Sequence, residues 1–343
     1  MTIDLNSFLQ LRTQLPVADV RSPGEFLDGH IPGVVNIPIL NNEERVAVGT
    51  DYKQHGQKEA IQTGFRLVGP RLEQIVNEAQ KLSSGKELLV HCWRGGMRSN
   101  NFCQFIGMAG IQSHQLVGGY KAYRQRALES YELPFQFMVV GGKTGSGKSE
   151  ILRALQQRGE QILDLEKLAN HKGSAFGGLM MGPQPTTEQF QNNLFEEILK
   201  LDIQKKIWVE DESLAIGKIF LPNTFWKTMR AGLVFRIEVA KEIRIQRLVN
   251  EYGPADPVEF LKAMEKIIKR LGGQHFTAAK ERLLADDMHS TIDILLTYYD
   301  RAYSTGLANR EFIVSPALEW DGKDADACAL SLIESATTFA TRS

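Results

Sequence analysis

The stretch Leu88-Leu-Val-His-Cys-Trp-Arg-Gly-Gly-Met-Arg-Ser99 decides the fold of the first part of the chain. Leu88, Leu89 and Val90 form a short apolar run of the kind that makes a buried parallel strand. A helix is expected over Ser99 to Ala109. His91 and Cys92 then stand at the carboxyl end of a strand, and Trp93, Arg94, Gly95, Gly96 and Met97 carry the chain to a helix N-terminus. Backbone N–H groups converge at such a place. Those donors, with Arg94 and Arg98, favour thiolate over thiol, and the thiolate is the nucleophile. Cys92 is the candidate reacting residue. The plainer alternative is a small buried hydrophobe, as free cysteines commonly are; the Gly-Gly pair and the two arginines weigh against it. A Cys-x5-Arg loop that closes on its own thiol can hold a tetrahedral oxyanion, with Arg98 gripping two of its oxygens.

The chain has 343 residues, enough for two domains with a core each. Hydrophobic residues make up 43% and charged residues 24%, as in ordinary globular proteins. A formal net charge of −1 gives no bulk electrostatic argument for nucleic acid or membrane, so any basic face must be local. Cys92, Cys103 and Cys328 fit neither a metal-ligand spacing nor a disulfide framework, so no transition-metal site and a reducing, cytoplasmic setting are expected. No apolar run approaches the roughly 20 residues of a membrane span, and no membrane partner is expected. Oligomeric state is not legible.

Upstream of Cys92, Val17 to Val20 reads as a strand, and Ser22-Pro23 as an N-cap with proline opening a short helix that ends at Gly29. Asp19 and Arg21 read as a structural ion pair, and His30 as a structural turn residue. Asn41 to Lys58 reads as a polar surface excursion, and Arg66 to Lys81 as an amphipathic helix.

A second signature follows a short linker at Glu129 to Pro134. Phe135 to Val140 is an apolar strand, and from Gly142 the chain fits Gly-x4-Gly-Lys-Ser, with a helix expected over Glu150 to Arg158. Gly142, Gly145, Ser146 and Gly147 let successive N–H groups face a diphosphate, Lys148 adds a point charge, and Ser149 can ligate Mg²⁺. The strand Lys206 to Glu210 ends in acids, with Asp211 the first choice as metal partner and Glu210 the alternative. Asp164, at the end of another short strand, is a further acid expected at the cleft. His171-Lys-Gly-Ser-Ala-Phe-Gly-Gly178 reads as a mobile substrate loop. Leu233 to Val239 is a further strand; Lys241, Arg244 and Arg247 after it suit phosphates and a solvated face equally well. Helices are expected over Pro257 to Arg270, Ala278 to Met288 and Thr291 to Tyr303. The first carries lysines opposite its apolar side; beside two tyrosines that face could meet an RNA backbone, although such charge is usually a solvated surface.

The division expected is 1–131 and 132–343, an α/β chain with one parallel-sheet domain followed by a P-loop α/β domain with a helical C-terminal region. Asp19 to Pro38, the Cys92 loop and Leu116 to Tyr123 together resemble the rhodanese family, which carries sulfur as a persulfide on its loop cysteine. The loop reaches its arginine one residue later than the commonest rhodanese pattern and is similar to that of rhodanese-fold phosphatases. With the P-loop, Asp164-Leu-Glu-Lys-Leu-Ala-Asn-His-Lys-Gly and Val209-Glu-Asp-Glu-Ser213, the chain resembles the tRNA 2-selenouridine synthase family over nearly its whole length. That resemblance implies exchange of the sulfur of wobble-position 2-thiouridine for selenium, with selenophosphate as donor and Cys92 as the selenium-carrying thiolate. It also implies S-geranylation of the same base from geranyl diphosphate. No bound organic cofactor is implied, and whether the P-loop takes ATP or the prenyl diphosphate is open. Two rivals stand beside this reading: a cysteine-dependent phosphatase and a nucleotide-gated sulfur-relay protein.

Overall fold

The computed structural model describes residues 1–310 and 312–340. Met1–Ser130, joined by Gln191–Glu196, forms one compact unit, and the remainder from Tyr131 on forms a second. The chain is an α/β protein with a parallel sheet in each unit.

In the first unit the strands are β1 (Thr2–Ile3), β2 (Val17–Asp19), β3 (Val35–Asn36), β4 (Glu87–His91) and β5 (Gln112–Leu116). They lie in the order β1-β5-β4-β2-β3, every pair parallel. The middle strand β4 is buried at every position after Glu87, which is why its sequence is a continuous apolar run and not an alternation. The chain leaves β2 for β3 on one side and then crosses to β4 on the other. Cys92 therefore sits at a topological switch point, outside the carboxyl ends of central strands, where open α/β sheets bind ligands.

Several expected elements differ in extent. The helix after Cys92 begins at Met97 and runs to Met108, two residues earlier than its expected start at Ser99. Asn41 to Lys58 is largely helical: Asn41 caps Asn42–Gln54 in a reciprocal box with Glu44, a local signal outweighed in the sequence reading by polar composition. The expected helix over Arg66 to Lys81 is two helices, Gln57–Val68 and Leu72–Ser83, separated by a 3₁₀ turn at Gly69-Pro70-Arg71. Pro70 cannot donate to the preceding turn, so the chain turns there.

In the second unit β6 (Gln136–Gly142), β7 (Gln161–Leu163), β8 (Lys206–Glu210), β11 (Leu233–Glu238) and β12 (Ile313–Glu319) form a parallel sheet ordered β12-β11-β6-β8-β7. A small antiparallel pair, β9 (Ala215–Ile216) and β10 (Ile219–Phe220), is separate. β6 is again central, and its carboxyl end carries the P-loop. The helix Lys148–Gln157 after it packs Ile151, Leu152 and Leu155 onto Val140, Trp208 and Phe235. A second core gathers Phe176, Leu248, Phe260, Ile267 and Leu296 among the C-terminal helices. The region expected as one helix over Pro257 to Arg270 is Pro257–Glu265 followed by a single turn, Ile268–Leu271. The helix expected over Ala278 to Met288 runs over Gly273–Leu284, opening at Gly272-Gly273, and Met288 begins the next helix. Among the described residues no helix is long and apolar enough to cross a membrane.

Candidate functional site

Each unit carries its own site. In the first, Cys92 is 3% exposed and its Sγ lies 3.1 Å from Ser99 Oγ. Burial alone would push this thiol up. The Ser99 hydroxyl and the backbone N–H groups of Ser99, Arg94 and Gly96 outweigh it, and the pKa falls below the ordinary thiol value. The other two cysteines go the other way: burial raises Cys103, and pushes Cys328 up to about 12. Of the three, Cys92 alone has its thiolate favoured by its surroundings.

The loop around Cys92 is held from outside. Gly95 and Gly119 both have positive φ, and a Cβ on Gly119 would lie 2.3 Å from Cys92 O and 2.6 Å from Gly95 N. Tyr120 N donates to Cys92 O at 2.8 Å and Lys121 N to Trp93 O at 2.9 Å. Gln115 Nε2 donates to Gly95 O and to Ser99 Oγ, each at 2.8 Å. The Gly118-Gly119 segment thus braces the loop in a way that admits no side chain.

Arg98 is placed differently from its expected role. Its guanidinium meets the Glu25 carboxylate through both nitrogens, at 2.5 and 3.2 Å, so its bidentate face is engaged by protein. Glu25 is partly buried; burial raises its pKa, but Arg98 more than offsets this and the carboxyl stays ionised. Sequence reasoning missed Glu25, although its place in the capping box with Ser22 marks it as fixed. Arg94 lies in the loop, and Trp93 packs on Tyr120. Asp19 and Arg21 are the buried pair expected, with 2.6 Å between Arg21 Nη2 and Asp19 Oδ2. His91 is fully buried 3.8 Å from Asp19; burial, ahead of the neighbouring charges, lowers its pKa and keeps it neutral. His30 is held by its turn, with Nδ1 2.9 Å from Phe26 O and its ring stacked on Phe26.

The second site lies at the end of β6. Gly145 and Gly147 take positive φ, and Lys148 Nζ reaches back to Gly142 O at 3.3 Å. Ser146 Oγ is buried without a partner among the described residues, 2.5 Å from where a Cβ on Gly142 would be. A Cβ on Gly147 would meet Trp320 at 2.6 Å and Arg247 Nη2 at 2.7 Å. Arg247 lies over the Trp320 ring and pairs with Glu150, beside the phosphate loop. Arg244 is buried, bound to Asp300 and to Thr144 O, and so braces the loop from behind. Lys241 pairs with Asp293 on the surface.

The acids beside this loop are not those the sequence put first. Asp211 is engaged by Arg310 and stands 3.5 Å from Arg230, which leaves it committed to an ion-pair network. Asp164 caps the helix Leu165–Ala169, accepting from Lys167 N at 2.8 Å. The cluster consists of Glu166, Glu210 and Glu212, whose ligand atoms lie within 4.8 Å of one another. Ser149 Oγ donates to Glu166 at 2.8 Å and lies 3.3 Å from a Glu210 carboxyl oxygen. Burial, and then the charge of Glu166, raise both Glu210 and Glu212, the latter to about 8. Burial also raises Glu166. Three carboxylates and a hydroxyl form an all-oxygen donor set that suits a hard divalent cation, and their raised pKa values mark a cluster short of positive charge.

Glu210 ends β8, and the chain just past it returns Glu212 to Glu210 and Glu166 while Asp211 turns to Arg310 and Arg230. Gly173, at positive φ, lies against the cluster: a Cβ there would be 2.5 Å from Glu166 Oε1 and 2.8 Å from Glu212 Oε1. The segment His171 to Gly178, expected to be a mobile loop, is pinned by Phe176, which is buried and stacked on Phe260 at 4.7 Å. The whole forms a cleft of about 2150 Å³ within the second unit, lined by the P-loop, the acids, Trp226, Tyr298, Tyr299 and Tyr303.

A family profile described as the tRNA 2-selenouridine synthase AAA domain matches residues 135–316, and a rhodanese-like domain profile matches residues 5–126. The chain belongs to the tRNA 2-selenouridine synthase family. A tRNA 2-selenouridine synthase from Nitrosomonas europaea is 31% identical, the alignment covering 90% of this chain and 92% of that one. One from Hydrogenovibrio crunogenus is 33% identical, covering 87% and 90%. One from Bdellovibrio bacteriovorus is 40% identical, covering 69% and 64%. The rhodanese-like profile falls on the unit that holds Cys92, and the synthase AAA-domain profile on the P-loop unit.

Proposed function

We propose that this chain converts 2-thiouridine at the wobble position of tRNA to 2-selenouridine, by way of an S-geranyl intermediate, with one step at each site. The observation that carries the reading is the pairing, in one chain of this family, of an activated loop thiol with a diphosphate cradle backed by carboxylates. Neither rival accounts for both. A phosphatase leaves the P-loop without a task, and a sulfur relay requires no cleft wide enough for a prenyl chain and the base that receives it.

At the P-loop the 2-thio sulfur attacks C1 of geranyl diphosphate; the C–S bond forms, the C–O bond breaks, N3 of the base gives up its proton to solvent, and diphosphate departs towards Lys148 and the loop N–H groups. A magnesium ion held by Glu166, Glu210, Glu212 and Ser149 would supply further charge for that leaving group. Geranylation turns the sulfur into a leaving group: the selenium nucleophile bonds to C2 as the C2–S bond breaks, and geranyl thiolate departs. The Cys92 thiolate attacks the phosphorus of selenophosphate: the S–P bond forms, the P–Se bond breaks, and hydrogen selenide leaves as the nucleophile for C2, with the loop N–H groups facing the phosphate oxygens; water then cleaves the S–P bond and releases phosphate. Arg98 joins the loop N–H groups when Glu25 releases it.

The test is nucleoside mass spectrometry on 2-thiouridine tRNA incubated with protein and selenophosphate, geranyl diphosphate, or both. The expected outcome is selenouridine that is lost in Cys92→Ala and a geranylated nucleoside that is lost in Lys148→Ala. No modified nucleoside with any donor would defeat the reading in favour of the sulfur relay.

A further inference from the structure

The cleft of the second unit is larger than a prenyl diphosphate needs. Small-molecule pockets span about 300–1,000 Å³, and this one is about 2150 Å³. Its lining is also uneven in charge: ten lining residues are Lys or Arg and six are Asp or Glu, in a chain whose net charge is −1. Part of the excess gathers in one place. Lys172, Arg230 and Arg247 each meet a carboxylate, from Glu251, Asp211 and Glu150. Lys266, Lys269 and Arg270 are exposed and form no ion pair with any described carboxylate. They stand together at the turn Ile268–Leu271, which Ile267 and Leu271 anchor in the core. Tyr298 lines the same wall, half-buried, with Arg270 Nη1 3.4 Å from its hydroxyl.

We propose that Lys266, Lys269, Arg270 and Tyr298 seat the single-stranded tRNA segment that brings the thiolated base to the P-loop. The inference rests on the reading of this chain as a tRNA-modifying enzyme and names the surface that reading lacks. Three unpaired cations stand close together on one wall beside an aromatic ring, which the scattered Arg153, Lys167 and Lys218 do not. A nucleic-acid backbone supplies the missing anions. A base can reach the prenyl donor only if it is unstacked from its strand, and its flanking phosphates enter the cleft mouth with it. RNA loops are bound in this manner, by cations on the backbone and an aromatic ring under a splayed base. Lys266 acts inside the cleft as well: after burial, its charge is what lowers the pKa of His171.

The test is tRNA binding by the full chain across a salt series, using tRNA with 2-thiouridine. Lys269→Glu/Arg270→Glu should weaken binding roughly thirtyfold at moderate salt and reduce the slope of log K against log salt by about 0.7 per lost contact. Lys269→Ala/Arg270→Ala should move both quantities the same way by less. Tyr298→Ala should lower affinity and leave the slope unchanged, since stacking releases no counterions. Lys280→Glu, on a surface outside the cleft, is the control. Calorimetric binding of inorganic diphosphate shows whether each variant keeps its P-loop. Charge variants that bind diphosphate yet hold tRNA within twofold of wild type, with an unchanged slope, would overturn the inference alone. A wild-type chain with no affinity for tRNA would overturn the functional reading beneath it.

Discussion

At the residue scale the decisive contact is Ser99 Oγ on Cys92 Sγ at 3.1 Å. Burial opposes the thiolate and hydrogen bonds win, so the charge depends on few donors. Removing one such bond costs about 1–2 kcal/mol, or about one pKa unit. The pH profile of Cys92 alkylation should therefore have its midpoint below that of an ordinary thiol, and Ser99→Ala should move it up by about one unit. A profile unaltered by Ser99→Ala would show that the loop N–H groups alone hold the charge. Glu25 provides a second prediction. It occupies Arg98 and also caps its own helix. Glu25→Gln keeps a capping side chain and removes the charge, so phosphate should inhibit this variant more tightly, by about 1 kcal/mol or roughly fivefold. Unchanged or weaker inhibition would mean that Arg98 does not face the anion.

At the element scale the second site is built by the ends of β6 and β8 and the start of the helix Leu165–Ala169. Glu212, raised to about 8 in the fold from an ordinary value of 4.5, binds more protons folded than unfolded between those pH values. Its contribution to the stability of the metal-free protein therefore falls as pH rises through that window. A cation must displace that proton below about pH 8, so the gain in thermal midpoint on adding magnesium should be larger above pH 8 than near pH 6. Equal gains, or a gain that survives Glu210→Gln/Glu212→Gln, would contradict the assignment. Phe176→Ala should cost about 3–5 kcal/mol of stability, as loss of a buried phenylalanine does, if this segment is scaffold; a mobile loop would lose almost nothing.

These elements also show what the sequence makes legible. Both phosphate-type loops announce themselves, because glycine spacing and a flanking strand and helix are local properties. The acids do not. Arg310, which claims Asp211, lies far off in sequence, and only the fold brings Glu212 back to Glu210 past the end of β8. Glu166 sits just past a strand end in a helix first turn, and only the fold brings it to Ser149. Glu25 and Arg98 meet in the same way, 73 residues apart. The edge strand β12 was hidden for a different reason: Ile313–Glu319 contains Pro316, which reads against a strand but is tolerated at a sheet edge.

At the scale of the whole molecule, two parallel sheets repeat one device: a loop at the carboxyl end of a central strand, beside a switch in strand order, closed by a helix. The account assigns one chemical step to each unit, so each should work without the other's key residue once supplied with its own substrate. The most direct measurement gives tRNA already S-geranylated, with selenophosphate, to Lys148→Ala and to Cys92→Ala, and follows selenouridine by mass spectrometry. The account predicts that Lys148→Ala forms selenouridine at close to the wild-type rate and Cys92→Ala forms none. Failure of Lys148→Ala on the pre-geranylated tRNA, or selenouridine from Cys92→Ala, would contradict it.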